Sequence, residues 1–202
     1  MCLPCTCGSR CGHHPQPERG WRVTQRFRVL RSRSIYQGKV VSLRVDRVQE
    51  PGGALVEREV IGHPGSVVVL PCLSDGRVLL IRQFRYAAGK SLWELVAGGI
   101  EDGETLREAA LRELREETGY SARIVKPRLG FFPSPGILSE RMHLVEARGL
   151  TKSEAQPEAD ERIRCAWFTP AALRRMIHRK RIEDGKTLVG LAWLGITNPR
   201  TI

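Results

Sequence analysis

Between Val40 and Val48 apolar and polar positions alternate, with Val41, Leu43 and Val45 on one side and Ser42, Arg44 and Asp46 on the other. A period of two predicts a half-buried strand. Pro51-Gly52-Gly53 turns the chain and Leu55–Ile61 predicts the return strand, so the pair forms a hairpin ahead of the main domain. A lone hairpin is at best marginally stable, so this one must pack on the rest of the chain or on another subunit. After Gly62-His63-Pro64-Gly65, the nearly continuous apolar run Val67–Leu73 predicts a strand buried on both faces. Ser74-Asp75-Gly76 predicts a hairpin turn, with Val78–Phe84 returning as the partner strand. Leu92–Val96 predicts a short strand that leads into Gly98-Gly99.

The period then changes. Thr105 and Glu108 form a T-x-x-E capping box, which predicts a helix over Leu106–Thr118, closed by Gly119 in the left-handed position. Residues 123–132 and 142–148 predict further strands with a Pro- and Gly-containing loop between them. Residues 151–161 form an acidic loop and Arg162–Trp167 another strand. Thr169-Pro170 caps and opens a helix that runs to about Arg179. Asp184-Gly185 breaks it, and Lys186–Leu194 is a last short helix. No internal repeat is present. Strands interspersed with few helices predict an α/β chain, a mixed sheet covered by helices on both faces.

Composition changes this picture in three places. Hydrophobic residues at 41% and charged residues at 27% suit an ordinary globular chain, but the net charge of +11 points to anionic partners such as phosphates. No RNA- or DNA-binding motif accompanies the charge, so nucleic acid is not expected as a partner. No apolar run nears the roughly 18 residues needed to span a bilayer, and no signal-peptide core opens the chain, so a cytoplasmic location is expected and a membrane is not. Cys2, Cys5, Cys7 and Cys11 crowd the start, followed by His13 and His14. Cys2 and Cys5 have metal-site spacing, with Cys11 and His13 able to complete four ligands. No hairpin or helix pattern holds them, however, and residues 1–20 are read as a flexible Cys/His-rich tail. Cys72 and Cys165 lie in apolar runs and are expected to be buried thiols.

The chemistry concentrates on the strongest helix. Glu113, Glu116 and Glu117 stand at i, i+3 and i+4 and share one face. Three like charges so close repel one another unless a divalent cation sits among them, and carboxylates are preferred ligands of Mg²⁺. Gly98 and Gly99 let the backbone approach a ligand. Glu104 lies where the loop enters the helix, and Arg112 can pair with carboxylates to hold the array.

The segment Gly98–Gly119 resembles the Nudix box, G-x5-E-x7-R-E-U-x-E-E-x-G-U, through Gly98, Glu104, Arg112, Glu113, Leu114, Glu116, Glu117 and Gly119. Tyr120 departs from it, standing where an aliphatic residue is usual. The resemblance implies an α/β/α sandwich with a mixed sheet over 63–202. Residues 21–62 would form a small N-terminal β-domain that builds a homodimer. It implies Mg²⁺, with Mn²⁺ as an alternative, held by Glu113, Glu116, Glu117 and the Ala97 carbonyl, with Arg112 and Glu104 as organisers. Arg82-Gln83-Phe84-Arg85, Glu94-Leu95-Val96-Ala97-Gly98 and Ser134-Pro135-Gly136 with Ser139-Glu140 look like the ADP-ribose pyrophosphatase branch, with Val96 where that branch often has Pro. In that branch a late acidic loop supplies carboxylates, here Glu161 as a further metal ligand and Glu158 or Asp160 as general base. The implied reaction is hydrolysis of ADP-ribose to AMP and ribose 5-phosphate. Arg82, Arg85, Gly98, Gly99 and Pro135 would contact substrate, and Glu140 would orient substrate or water. The alternatives are GDP-mannose or another nucleotide sugar as substrate, and a non-catalytic nucleotide-sugar sensor.

Overall fold

The computed structural model describes residues 26–152 and 163–197. The expected hairpin is present as β2 (Ser42–Gln49) and β3 (Leu55–Gly62), paired antiparallel from Ser42↔Gly62 to Gln49↔Leu55. A further strand, β1 (Arg28–Gln37), pairs with the other edge of β2. The sequence reading did not anticipate it. Two register shifts, at Val29/Arg31 and Ser34/Tyr36, interrupt its period of two, and all ten residues are exposed, so no apolar stripe marks it.

β4 (Ser66–Pro71) is buried at every position, as its apolar run implies. Its neighbours correct the sequence reading. β7 (Val96–Gly99) takes one edge antiparallel and β9 (Met142–Lys152) takes the other in parallel. The turn does reverse the chain, with Leu73 N–H donating to Arg77 O at 2.9 Å. But no free edge of β4 remains, and among the described residues β5 (Val78–Arg85) meets its end through the single bridge Cys72↔Val78. β5 instead becomes the centre of a second sheet, between β6 (Lys90–Glu94) and β10 (Arg164–Phe168). β8 (Tyr120–Phe131) completes the first sheet, in the order β7-β4-β9-β8. Pro127 is tolerated there because β8 is an edge strand with an irregularity between Pro127 and Leu129.

Alternation along β4 builds the layers. Val67 and Val69 pack with Ala109, Ala110 and Leu114 of α1 (Leu106–Thr118). Val68 and Leu70 pack with Leu173 of α2 (Pro170–His178) and Leu191 of α3 (Gly185–Trp193). Each fully buried Leu or Val contributes about 1.5–3 kcal/mol, which binds the helices to opposite faces. The result is the expected α/β/α sandwich with a mixed sheet, preceded by the small β-sheet. Cys72 is buried, as expected, but Cys165 is exposed. It lies on β10, an outer strand of its sheet, at a position the core does not cover. The Cys/His tail lies outside the described residues. Among those described, no helix is long and apolar enough to cross a membrane.

Candidate active site

The start of α1 is fixed locally. Thr105 Oγ1 accepts from Glu108 N–H at 3.2 Å, and the Glu108 carboxylate accepts from Thr105 N–H at 2.8 Å, so the capping box is complete. Gly119 closes the helix at φ 70° and its N–H reaches Arg115 O at 2.8 Å. Tyr120 then packs its ring edge-on against Trp167 of β10, centroids 5.6 Å apart, and its hydroxyl accepts from the indole N–H at 3.4 Å. That contact explains how an aromatic residue fills a position usually aliphatic: the ring is apolar and its polar tip has a partner.

Arg112 gathers the acidic array. Its guanidinium grips Glu104 with two parallel bonds, Nε to Oε1 at 2.9 Å and Nη2 to Oε2 at 3.0 Å. Nη1 donates to Glu113 Oε1 at 2.6 Å and to Glu116 Oε2 at 3.2 Å, while Nη2 also reaches the Gly99 carbonyl at 2.8 Å. One side chain therefore ties the loop 98–104 to two turns of α1. The hydrogen bond from Arg112 holds the Glu104 carboxyl below the ordinary carboxylate range, against the opposing effect of burial. The same bonds raise the Arg112 guanidinium still further, Glu104 being the largest contributor.

Gly98 has a steric reason to be glycine. A Cβ built on it would fall on the Glu113 carboxylate, whereas one on Gly99 meets nothing within 4 Å. Glu113 and Glu117, at 9% and 8% exposure, are both buried on α1, Glu113 directly over the bare backbone of Gly98.

Across from α1, Arg85 grips Glu94. Nε lies 2.9 Å from Oε1 and Nη2 lies 2.7 Å from Oε2. Lys186, from α3, donates to the same Oε2 and to Asp184 Oδ1, the latter at 3.0 Å. Glu94 is 1% exposed. Burial alone would raise its pKa, but the hydrogen bond from Arg85 and the charge of Lys186 outweigh it and hold the carboxyl low. Arg85 shares its face of β5 with Ile81, four residues earlier, which packs with Ala110 and Leu114 of α1. Arg82 does not join it. It pairs with Trp93 across the ladder and lies over that ring at 5.8 Å, on the face that packs under α2 and α3. The spacing already held this signal, because residues three apart in a strand point to opposite faces.

Glu140 is buried beside the start of β4, accepting from Ser66 Oγ at 2.5 Å, with His63 Nδ1 at 3.6 Å. Pro135 is exposed on the loop after β8. That loop is stitched to β3 by Ile61 N–H to Ile137 O at 2.8 Å and Ser139 N–H to Ile61 O at 2.9 Å, so it bridges the two units. A cavity of about 700 Å³ opens there, lined by Lys39, His63, Gly99, Glu101 and Ser139 among others. Glu158, Asp160 and Glu161 lie outside the described residues. Sequence reasoning missed the Glu94–Lys186 pairing, which joins positions 92 residues apart, and the Ser66–Glu140 bond, 74 residues apart.

The donor chemistry suits a hard divalent cation: carboxylates on successive turns of α1 and the Ala97 carbonyl on β7 next to the Gly98 cradle. A carboxylate carries about four lone-pair sites, so a bond from Arg112 does not exhaust it. Among the described residues, no group of three His, Cys, Asp or Glu side chains is gathered closely enough to hold an ion by itself.

The NUDIX domain family model matches residues 62–189. A methanol dehydrogenase activator of Bacillus methanolicus is 37% identical over 169 residues, covering 83% of this chain and 91% of the relative. An ADP-ribose pyrophosphatase of Bacillus subtilis strain 168 is 32% identical over 169 residues with the same coverage of each, 83% and 91%. One from Mycobacterium tuberculosis is 31% identical over 169 residues, covering 82% of this chain and 81% of its own. Among solved structures, the crystal structure of an ADP compounds hydrolase superposes with a TM-score of 0.76 at 20% identity, covering 85% of this chain and 93% of the other, which is a likeness of fold.

Proposed function

This chain belongs to the Nudix hydrolase family, and from that premise we propose that it hydrolyses the pyrophosphate bond of a nucleoside diphosphate sugar, ADP-ribose foremost. The observation that carries the reading is the Arg112 clamp, which sets Glu113 over Gly98 and joins it to Glu104 and Glu116. A surface helix rich in Glu and Arg has no use for a carboxylate buried against bare backbone.

In this reading Glu113, Glu116 and Glu117 hold Mg²⁺ or Mn²⁺, together with the Ala97 carbonyl and Glu161. When bound, the cation neutralises the diphosphate and lowers the pKa of a water. Arg85 offers its guanidinium to the phosphates. Glu158 or Asp160 takes the proton of the attacking water, and the buried Glu140 orients water or substrate. The nucleoside occupies the cavity beside Gly99, where the closely approaching backbone of Gly98 and Gly99 and the loop carrying Pro135 shape the entrance. The N-terminal unit, residues 21–62, serves homodimerisation, supported by the exposed apolar side chains of Val29, Leu30, Ile35 and Tyr36 on β1.

The test is a substrate panel with Mg²⁺: ADP-ribose, GDP-mannose, UDP-glucose, NADH and diadenosine polyphosphates, read as phosphate released by a coupled phosphatase. Preference for ADP-ribose is expected. Preference for another nucleotide sugar keeps the mechanism and discards the substrate. Tight binding without turnover moves the chain to the sensor class. Glu117→Gln is expected to lose activity by about two orders of magnitude or more while folding normally, and near wild-type turnover in that variant refutes the assigned role. A second reading, action on a partner enzyme, is favoured by the relative named as a methanol dehydrogenase activator. It predicts a change in a partner dehydrogenase's rate on addition of the chain.

A further inference from the structure

Arg85 spends one edge of its guanidinium on Glu94. All its hydrogen bonds use Nε or Nη2, and Nη1 makes none among the described residues. The carboxylate plane therefore fixes the plane of the fork, and with it the direction in which Nη1 is presented. Yet the Arg85 side chain is 38% exposed, and a long side chain at a water boundary readily exchanges a partner for solvent. Something must hold Glu94 still. Lys186 grips the same Oε2 from the α3 side and is itself only 10% exposed. Its ammonium is held in turn by Asp184, the residue that caps α3 by accepting from Thr187 N–H at 2.9 Å. Thr187 Oγ1 accepts from Leu95 N–H at 2.7 Å, one residue beyond Glu94. The start of α3 is thus fastened to the end of β6 twice, once through backbone and once through charge.

We propose that Lys186 is a positioning residue: by clamping the same Glu94 oxygen that Arg85 Nη2 bonds, it holds the Arg85 guanidinium in the orientation that presents its remaining edge to the substrate diphosphate. This rests on the reading of the site given above. The charge link is separable from the fold. Without the lysine, Thr187 still bonds Leu95, Asp184 still caps α3, and Glu94 still has Arg85, so no buried charge is left unpaired.

The test uses the full chain. Lys186→Met, Lys186→Arg, Arg85→Ala and the double variant Arg85→Ala/Lys186→Met are compared with wild type. Two readouts are taken: steady-state kinetics with ADP-ribose and Mg²⁺, and calorimetric Kd for ADP-ribose in EDTA, where hydrolysis does not interfere. Lys186→Met is expected to raise KM and Kd about tenfold, the scale of one displaced charge-assisted hydrogen bond, with kcat within about threefold. Lys186→Arg restores most of the loss. The double variant matches Arg85→Ala alone, because the lysine acts through the arginine. Unchanged KM and Kd in Lys186→Met overturn the proposal, as does a fall in kcat with KM intact. Additive losses in the double variant also overturn it, since they show the lysine acting on the substrate by its own charge. If Lys186→Met does not fold, Lys186→Gln takes its place in the same cycle. A wild-type chain that neither binds nor hydrolyses any nucleotide sugar refutes the functional reading instead, so the two failures are distinguishable.

Discussion

Gly98→Ala tests the site where it is tightest. The added methyl would coincide with the Glu113 carboxylate, so the two cannot coexist. The backbone of Gly98 lies outside the left-handed region, so alanine brings no conformational strain of its own. What must give is the end of a flexible side chain, and Glu113 swings away from Arg112 Nη1, losing a 2.6 Å charge-assisted bond. Such a bond is worth about 1.5–3 kcal/mol. Arg112 keeps Glu104 and Glu116, so the lower end applies, about 1.5 kcal/mol. At about 2–4 °C per kcal/mol for a chain of this size, Tm falls by about 3–6 °C. On the proposed role of Glu113 as a metal ligand, activity falls much further, and a kcat loss of about two orders of magnitude is expected. Gly99→Ala is the comparison: nothing lies within 4 Å of its added Cβ, so Tm stays within about 1 °C of wild type. Differential scanning fluorimetry and the coupled phosphate assay read both variants. Wild-type kcat in Gly98→Ala, or equal Tm losses in the two variants, refutes the steric account.

Three further outcomes follow from the geometry. Lys180 holds φ 54° at the end of α2, a conformation that costs a non-glycine residue about 1–2 kcal/mol. Lys180→Gly is expected to raise Tm by about 2 °C once the greater freedom of the unfolded chain is subtracted, and a lower Tm would count against stored strain there. Burial pushes the Cys72 thiol up to about 11, partly offset by Arg148, while Cys165 is exposed. With Cys2, Cys5, Cys7 and Cys11 replaced by Ser, the native chain should react with Ellman's reagent at pH 8 at one thiol, and Cys165→Ser should abolish that reaction. Glu104 has its folded pKa held below its ordinary 4.5 by Arg112. Its contribution to stability is therefore complete above that value and is lost as pH falls through the folded pKa. Tm measured from pH 6 to pH 3 should decline more steeply for wild type than for Glu104→Gln, and parallel declines would contradict the assignment.

Local features of this chain were legible without its structure. A capping box, a C-terminal glycine and a period of 3.6 define α1 from contiguous residues, and the spacing of Arg112, Glu113, Glu116 and Glu117 on that helix brings them together automatically. The buried character of β4 follows from composition alone. Even the opposite facing of Arg82 and Arg85 was implicit in their separation by three positions, though the resemblance to a known segment obscured it. Sheet membership was not legible. β4 has two edges, and which strands fill them is a competition among β5, β7 and β9 that no local pattern records; β9 and β7 win, and β5 is displaced to another sheet. β1 escaped for a related reason, since its bulges break the alternation and all ten of its residues are exposed. The pairing of Lys186 with Glu94 spans 92 residues. An ordinary lysine after a helix cap acquires its role only when packing of α3 against the sheet brings its ammonium to a buried carboxylate. Short-range periodicity and capping fix what each segment becomes, because their energies depend on neighbours in sequence. Which segments meet depends on complementarity between distant surfaces, and only the folded chain expresses that.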